Sequence, residues 1–137
     1  MNYWLVKSEP VKYAWEQLVK DGKTFWSGVR NHQAANNLKA MKRGDRAFFY
    51  HSNEGLAIIG ICEIVKEYYP DHTDPTGKFG MVDVKPLLPL TTPVTLAEIK
   101  ATPELKDISL IRQSRLSVMP IAPAQWKIIC RLGGVKG

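Results

Sequence analysis

The chain is organised around one stretch, Phe25-Trp26-Ser27-Gly28-Val29-Arg30-Asn31-His32-Gln33, and the helix-like run that follows it through Met41. It places a Trp beside a Gly that lets the backbone turn, with a cation and several amide side chains just before a helix. A lone Trp is often core filler, because aromatic rings dominate ordinary cores. The polar cluster around Trp26 favours instead a pocket in which a flat ligand stacks and is held by hydrogen bonds.

Length and composition are those of an ordinary globular protein, with 137 residues of which 45% are hydrophobic and 23% are charged. We predict a single domain over residues 1–137, with its core at about 2–132 and a flexible tail at 133–137. No apolar run approaches the roughly 20 residues that cross a bilayer, and the first residues do not have the order of a signal peptide. We therefore expect a cytoplasmic protein with no membrane partner, and a monomer as the default.

Charge and cysteine usage limit the class of partner. Lys and Arg outnumber Asp and Glu by 19 to 13, and a basic surface attracts phosphates without reading sequence. A merely soluble basic surface explains the same excess, so charge alone does not decide. Cys62 and Cys130 are each flanked by Ile and are predicted to be buried core residues. His32, His51 and His72 are scattered singly, so we expect no metal site and no cofactor.

The remaining pattern predicts alternating strands and short helices. Residues 46–52 and 57–69 indicate a hairpin, and Ile on both faces of its second strand indicates burial on both sides, as in a barrel or covered sheet. Residues 82–85 predict a strand with one wet face, interrupted by Pro86 and Pro89. A further strand is predicted at residues 3–7. Four helices are also predicted: from Trp15 to Val19 with Gly22 as its end, from Ala34 to Met41, from Thr95 to a point before Pro103, and from Pro123 to a point before Gly133.

A second polar stretch spans residues 110–120, where two Arg, a Gln and two Ser alternate with apolar residues. It is either functional or an edge strand with a solvated face, and the stretch alone does not distinguish them. Specific catalytic patterns are missing from the sequence, including a Gly-x-Ser-x-Gly elbow and a phosphate-binding loop. His51 and Ser52 do not make a base and nucleophile, because adjacent residues on a strand point to opposite faces.

Five ordered motifs stand out along the chain: Asn2-Tyr3-Trp4-Leu5-Val6-Lys7-Ser8-Glu9-Pro10, Trp26-Ser27-Gly28-Val29-Arg30-Asn31, Met41-Lys42-Arg43-Gly44-Asp45, Phe49-Tyr50-His51-Ser52 and Arg112-Gln113-Ser114-Arg115-Leu116-Ser117-Val118. Over about residues 2 to 130, they closely resemble the EVE domain family. The resemblance implies an α+β fold: a PUA-like partly closed β-barrel of about five to six mixed strands surrounded by short α-helices, similar to the YTH and ASCH domains. It also implies binding to modified bases in nucleic acid, with modified cytosine favoured.

Two positions depart from the pattern of the family. Ser27 stands where an Asp is common, and Ala35 stands where an Arg often follows Gln33-Ala34. The loss of that Arg removes one possible contact to a phosphate or a base. Ligand preference is therefore less firmly implied than the fold.

The leading hypothesis is a non-catalytic reader of a modified base that is flipped out of a duplex or presented in a single strand. Trp26 is the predicted stacking plane, and a recess for a methyl or hydroxymethyl group is predicted near Val29, Leu116 or Met119. Hydrogen bonds to the base are assigned to Asn31, Ser52, Ser114 and Ser117, helped by main-chain groups of the Lys7-Ser8-Glu9 turn. The predicted base pocket consists of these four residues together with Ser8, Trp26, Val29 and Leu116. Phosphate contacts are assigned to Arg30, Lys42, Arg112 and Arg115, with Lys39 and Arg43 as weaker candidates.

Two alternatives stay open at this point. One is an ASCH-like enzyme that cleaves RNA or hydrolyses a small molecule, in which Lys7, Glu9 and Tyr50 supply acid and base groups. The other is a pocket for a free nucleotide-like molecule with no polymer bound. The sequence does not distinguish DNA from RNA as the partner.

Overall fold

The protein is described by a computed structural model that covers residues 1–136. Six strands form one mixed sheet in the order β2-β5-β4-β3-β1-β6, in which β1 and β3 are parallel and all other neighbours are antiparallel. No pairing within residues 1–136 joins the edge strands β2 and β6. The predicted α+β fold of about five to six mixed strands is confirmed, with the barrel left open. The strands are β1 (Tyr3–Ser8), β2 (Thr24–Phe25), β3 (Arg46–His51), β4 (Ala57–Pro70), β5 (Gly80–Thr95) and β6 (Val118–Ile121).

Short helices surround the sheet, and local sequence signals explain where they begin and end. Gly22 ends the first helix in the left-handed conformation with φ 74°, as predicted. The side chain of Thr95 accepts a hydrogen bond from the Glu98 N–H while Glu98 bonds back to Thr95, which confirms the capping box. The helices are α1 (Trp15–Asp21), α2 (His32–Ala40), α3 (Leu96–Ala101), α4 (Ser109–Arg112) and α5 (Pro123–Leu132), with a 3₁₀ turn at Pro103–Leu105.

Aromatic rings fill the core between the sheet and α5. The Trp126 ring stacks on Phe48 with ring centroids 3.9 Å apart and on Tyr3 at 4.4 Å. In the first half of β4, Ile58 and Ile61 are fully buried, which confirms the predicted burial of that segment. Cys62 and Cys130 are both free and buried, also as predicted.

The prolines of β5 do not end the strand, contrary to the prediction. Pro86 pairs with Cys62 and Pro89 pairs with Gly60, and the register between β4 and β5 shifts beside both pairs. A proline lacks the N–H that a regular ladder needs, so it is tolerated where a bulge interrupts the ladder. The predicted wet face is also wrong at Asp83, which is 9% exposed and accepts a hydrogen bond from the Tyr69 hydroxyl through Oδ1.

The second polar stretch is only partly the edge strand that was considered. Residues 109–112 form α4, a turn follows, and only β6 pairs as an edge strand. The expected tail at 133–137 is held to β5 in its first residues, since Thr92 N–H donates to the carbonyl of Gly133 and Thr91 Oγ1 donates to that of Gly134. Gly137 lies outside the described residues. No helix formed by residues 1–136 is long and apolar enough to span a membrane.

Candidate functional site

A cleft of about 890 Å³ opens beside the end of β1. One wall is formed by Lys7, Ser8 and Glu9, together with Ser117 from the segment that leads into β6. The other wall is the segment from Lys23 to Asn31, which contains the stretch that organises the sequence. The volume is within the range of about 300–1,000 Å³ that small-ligand pockets occupy.

Trp26 forms a rigid part of the second wall. Its backbone N–H donates to the carbonyl of Val82 at 2.7 Å, which extends the pairing of β2 with β5 by one residue. Its ring meets Phe49 edge-on, with centroids 5.6 Å apart and planes at 85°, and the residue is only 8% exposed. The structure therefore combines the two interpretations of Trp26, because the ring is packed into the core and also borders the cleft.

The loop that follows Trp26 is tied down by Asp71, whose side chain is fully buried. Its Oδ2 accepts from the Gly28 N–H at 2.8 Å and from Arg30 Nη1 at 3.1 Å, and its Oδ1 accepts from the Thr73 N–H at 2.7 Å. Burial by itself raises the pKa of this carboxyl, but the hydrogen bonds from Thr73, Gly28 and Arg30 outweigh it and hold the pKa well below its usual range. Asp71 is therefore an anionic anchor for the cleft wall.

Asp71 was missed at the level of sequence. The only local signal is an Asp followed two residues later by Thr, a pattern that makes an Asx turn and recurs at Asp74 and Thr76. That pattern predicts a turn, which the structure contains, but it does not reveal that the second carboxylate oxygen reaches Gly28, 43 residues earlier in the chain.

Arg30 lines the cleft but is already partly engaged. Its guanidinium contacts Asp71, donates to Thr73 Oγ1 at 3.0 Å and lies 5.6 Å from the centre of the Phe79 ring. Its side chain is 38% exposed. Arg30 therefore orients the loop first, and only its exposed part is left to meet a ligand phosphate.

Four residues of the predicted base pocket besides Trp26 do line the cleft. Val29 is 7% exposed, and Asn31 caps α2 by accepting from the Ala34 N–H through Oδ1, which leaves its amide nitrogen for a ligand. The hydroxyl of Ser8 donates to the carbonyl of Tyr13 at 2.5 Å and keeps its acceptor capacity. The carbonyl of Ser117 accepts from the Lys7 N–H at 3.0 Å, which fixes that residue beside β1.

Three predicted base-pocket residues do not line the cleft. Ser52 donates its backbone N–H to the carbonyl of Ser8, and Ser114 accepts at its carbonyl from Lys7 Nζ at 2.8 Å, so both support the β1 wall from behind. Leu116 is buried, as is Met119. Of the second polar stretch, only Ser117 lines the cleft, from the segment between α4 and β6.

The predicted phosphate contacts are likewise divided. Lys42, Arg112 and Arg115 lie outside the cleft, as do the weaker candidates Lys39 and Arg43. Arg112 is paired with Asp107 at 2.5 Å. The cations that line the cleft are Lys7, Lys12, Lys23 and Arg30, and three carboxylates, Glu9, Asp21 and Asp83, line it as well.

Lys7 is a partly buried cation of this site. Burial lowers the pKa of its ammonium group and raises the pKa of the Tyr50 phenol, whose ring centre lies 5.9 Å from Lys7 Nζ. Within the part of the chain that the structure describes, no hydrogen bond joins Lys7, Glu9 and Tyr50 to one another. Tyr50 also does not line the cleft. The same residues contain no group of three or more His, Cys, Asp or Glu side chains placed to hold a metal ion.

Several known proteins are similar to this chain in sequence and in fold over nearly its whole length. Thymocyte nuclear protein 1 of Rattus norvegicus is 39% identical over 96% of this chain and 73% of its own length. A protein of Rhodopseudomonas palustris solved by NMR is 55% identical with a TM-score of 0.93, covering 98% of this chain and 94% of its own. The crystal structure of human THYN1 in complex with DNA containing 5-methylcytosine is 35% identical with a TM-score of 0.92, and each chain is covered completely.

A more distant likeness concerns the fold alone. The YTH domain of the Zygosaccharomyces rouxii MRB1 protein, solved with N6-methyladenosine RNA, is 17% identical with a TM-score of 0.62, and the alignment covers 96% of this chain and 86% of that one. The sequence model of the EVE domain matches residues 2–132, nearly the full chain. This chain belongs to the EVE domain family.

Proposed function

We propose that this protein binds nucleic acid that carries a modified base, with modified cytosine favoured, and takes that base into the cleft beside Trp26. The observation that carries the proposal is the cleft itself, in which the rigid Trp26 and the Asn31 amide on one wall face Ser8 and Ser117 on the other, across a space large enough for a nucleoside. The relative human THYN1, whose fold is the same, is seen in complex with DNA containing 5-methylcytosine.

The energetics favour a base as the ligand. Taking a base out of the stack costs roughly a few kcal/mol, and stacking on an aromatic side chain returns about 1 to 3 kcal/mol. Trp26 is held between the core ring of Phe49 and the β5 pairing, so its plane is fixed before the ligand arrives. A preorganised plane loses little side-chain entropy on binding, which leaves more of the stacking energy as affinity.

Specificity is assigned to the polar groups that the structure brings to the cleft: Ser8, Asn31 and Ser117. The carboxylate of Glu9 adds an acceptor, and the exocyclic amine of cytosine is a donor that Asp and Glu accept from. Val29 offers an apolar surface to a methyl group. Uracil or thymine presents an acceptor where cytosine presents the amine, so the Glu9 carboxylate would disfavour those bases.

Phosphate binding is assigned to cations around the cleft opening. Lys12 is paired with Glu9 at 3.3 Å with most of its side chain exposed, and the side chain of Arg30 is partly exposed beside the loop. Lys42, Arg112 and Arg115 lie outside the cleft, so we assign them to phosphates further along a longer strand. Each phosphate contact that releases a counterion adds to the salt dependence of binding.

The test is fluorescence anisotropy with labelled oligonucleotides that are matched except for cytosine or 5-methylcytosine, in DNA and in RNA, at two salt concentrations. The key variant is Trp26→Leu, and Trp15→Leu is its matched control. Trp15 packs against the same Phe49 ring, with centroids 5.5 Å apart, but does not line the cleft. Circular dichroism and thermal unfolding confirm that both variants are folded before titration.

We expect the methylated oligonucleotide to bind more tightly than its unmodified match. Trp26→Leu weakens that binding by roughly 5- to 150-fold, which corresponds to one lost stack. Trp15→Leu retains it. Equal affinity for both oligonucleotides, or equal losses in the two folded variants, would contradict base reading in this cleft.

A free nucleotide-like molecule is the second candidate, because the three carboxylates nearly balance the four cations around the cleft. That balance gives a long polyanion only a modest attraction. Affinity that does not change with salt or with oligonucleotide length would favour this candidate. We place either activity in a monomer in the cytoplasm.

A further inference from the structure

An exposed aromatic side chain lies at the edge of the cleft, where the base-binding role of Trp26 does not account for it. Phe25 is 47% exposed although it belongs to β2, whose backbone is paired with β5. Within residues 1–136 the other exposed large apolar side chains are Met1, Val11, Val19, Leu56 and Leu132, and none of these lines the cleft. Phe25 is thus an exposed ring in direct continuity with the proposed binding site.

The neighbours of Phe25 give this edge the chemistry of a nucleotide site. The His72 ring meets Phe25 edge-on, with centroids 4.7 Å apart and planes at 82°, which holds the phenyl ring in position while leaving nearly half of the residue exposed. Lys23, two residues earlier, is exposed, lines the cleft and forms no ion pair within the described part of the chain. An aromatic ring held in place can stack on a base, and an unpaired cation beside it can contact the phosphate of the same nucleotide.

We propose that Phe25 stacks the base next to the modified one, and that Lys23 contacts the phosphate between them. Adjacent residues of an extended segment point to opposite sides, so Trp26 faces inward and Phe25 faces outward along the same backbone. The modified base would then enter the cleft while its neighbour in the same strand lies on the outer ring. This inference rests on the proposed function and extends it from one base to a dinucleotide.

Titrations with two ligands distinguish stacking on Phe25 from binding of the modified base in the cleft. One is the monophosphate of 5-methyl-2′-deoxycytidine, which has no neighbouring base. The other is a short single strand with one central 5-methylcytosine, made with normal neighbours or with an abasic spacer on one side or the other. Each is titrated against the wild type, Phe25→Ala, Phe25→Tyr and the control Leu56→Ala, which removes an apolar side chain of similar exposure away from the cleft.

The single strand is expected to bind Phe25→Ala roughly 5- to 150-fold more weakly than the wild type, whereas the monophosphate binds both equally. Phe25→Tyr retains wild-type affinity, and so does Leu56→Ala. An abasic spacer on one side weakens the wild type by a similar factor and weakens Phe25→Ala no further, because the stack is already lost. Lys23→Gln reduces the salt dependence for the single strand, because one phosphate contact is lost.

Three results would overturn the inference. If Phe25→Ala binds the single strand as the wild type does, no neighbouring base stacks there, and the proposed function is untouched. If Phe25→Ala weakens the monophosphate by the same factor, Phe25 belongs to the pocket of the modified base. If the wild type binds neither ligand, the proposed function fails together with the inference. Phe25 is exposed, so we expect the variants to fold, and thermal unfolding verifies this.

Discussion

Replacing Asp71 by Asn tests whether one buried carboxylate holds the cleft wall. An Asn side chain of the same shape keeps its oxygen toward Thr73, but its amide N–H groups then face the Gly28 N–H and the Arg30 guanidinium, so two accepted hydrogen bonds are lost. Hydrogen bonds to charged groups contribute about 1.5–3 kcal/mol each. Because Arg30 is partly exposed and regains water, the lower figure applies, and the loss is about 3 kcal/mol in all.

A loss of that size is measurable by heat or by urea. For a chain of 137 residues the entropy of unfolding makes about 3 kcal/mol equivalent to a fall of roughly 10 °C in Tm. The pKa of Asp71 is held low in the folded state, so its contribution is complete above the unfolded pKa of about 4 and is lost as the pH falls through the folded pKa. The difference between wild type and variant should therefore be full at pH 7 and should narrow below pH 4.

Arg30→Lys and the double variant with Asp71→Asn complete a double-mutant cycle for the Asp71–Arg30 pair. Lys keeps the positive charge of Arg30 but lacks the planar guanidinium with its several N–H donors. Oligonucleotide binding is measured in parallel, because Gly28 and Arg30 are both part of the cleft. If Asp71→Asn unfolds with the free energy of the wild type at pH 7, the anchor assigned to Asp71 is refuted.

Three further predictions concern the core and β3. Gly60→Ala should lower the free energy of unfolding in urea by about 1–3 kcal/mol, because an added Cβ would lie 2.6 Å from the buried Trp15 ring; unchanged stability would show that the ring shifts freely. His51 accepts from the Trp15 N–H through Nε2, and burial lowers its pKa. Its contribution is therefore complete above about pH 6.5 and is lost as the pH falls through the folded pKa, so urea stability should decline between pH 7.5 and 5.5 less steeply in His51→Gln than in the wild type. Burial raises the pKa of the Cys62 thiol to about 12, so a thiol reagent at pH 8 should modify it only when the chain unfolds, and rapid labelling of the native protein would contradict this.

The parts of the fold that depend on local chemistry were predictable from sequence. The capping box at Thr95 and Glu98 and the helix end at Gly22 follow from side-chain and backbone geometry within a few residues. The burial of the first half of β4 follows from its run of Ile. The course of β5 was not predictable from sequence. Pro86 and Pro89 are tolerated in it because the register with β4 shifts beside them, and the sequence of one strand does not reveal its register with another.

The site was predictable to a lesser degree, for a similar reason. Trp26 and Asn31 belong to a stretch whose residue types indicate stacking and hydrogen bonding, and both line the cleft. Ser52 and Ser114 have the same chemistry, but their backbone groups are used to support β1. Asp71 was missed because its role depends on a contact across 43 positions of the chain, which no local pattern encodes.

The strand order also has a consequence for how the protein is made. β1 lies between β3 and β6, and its pairing with β6 joins residues 3–6 to residues 118–121. During synthesis one edge of β1 stays without its partner until residues 118–121 have emerged, and such long-range pairing makes folding slow. Ser117 reaches the cleft only when β6 docks. A nascent or truncated chain that ends before β6 would therefore expose the unpaired backbone groups of the β1 edge, which can pair with another chain. Its cleft would also be incomplete, so ligand binding would report that β6 has docked.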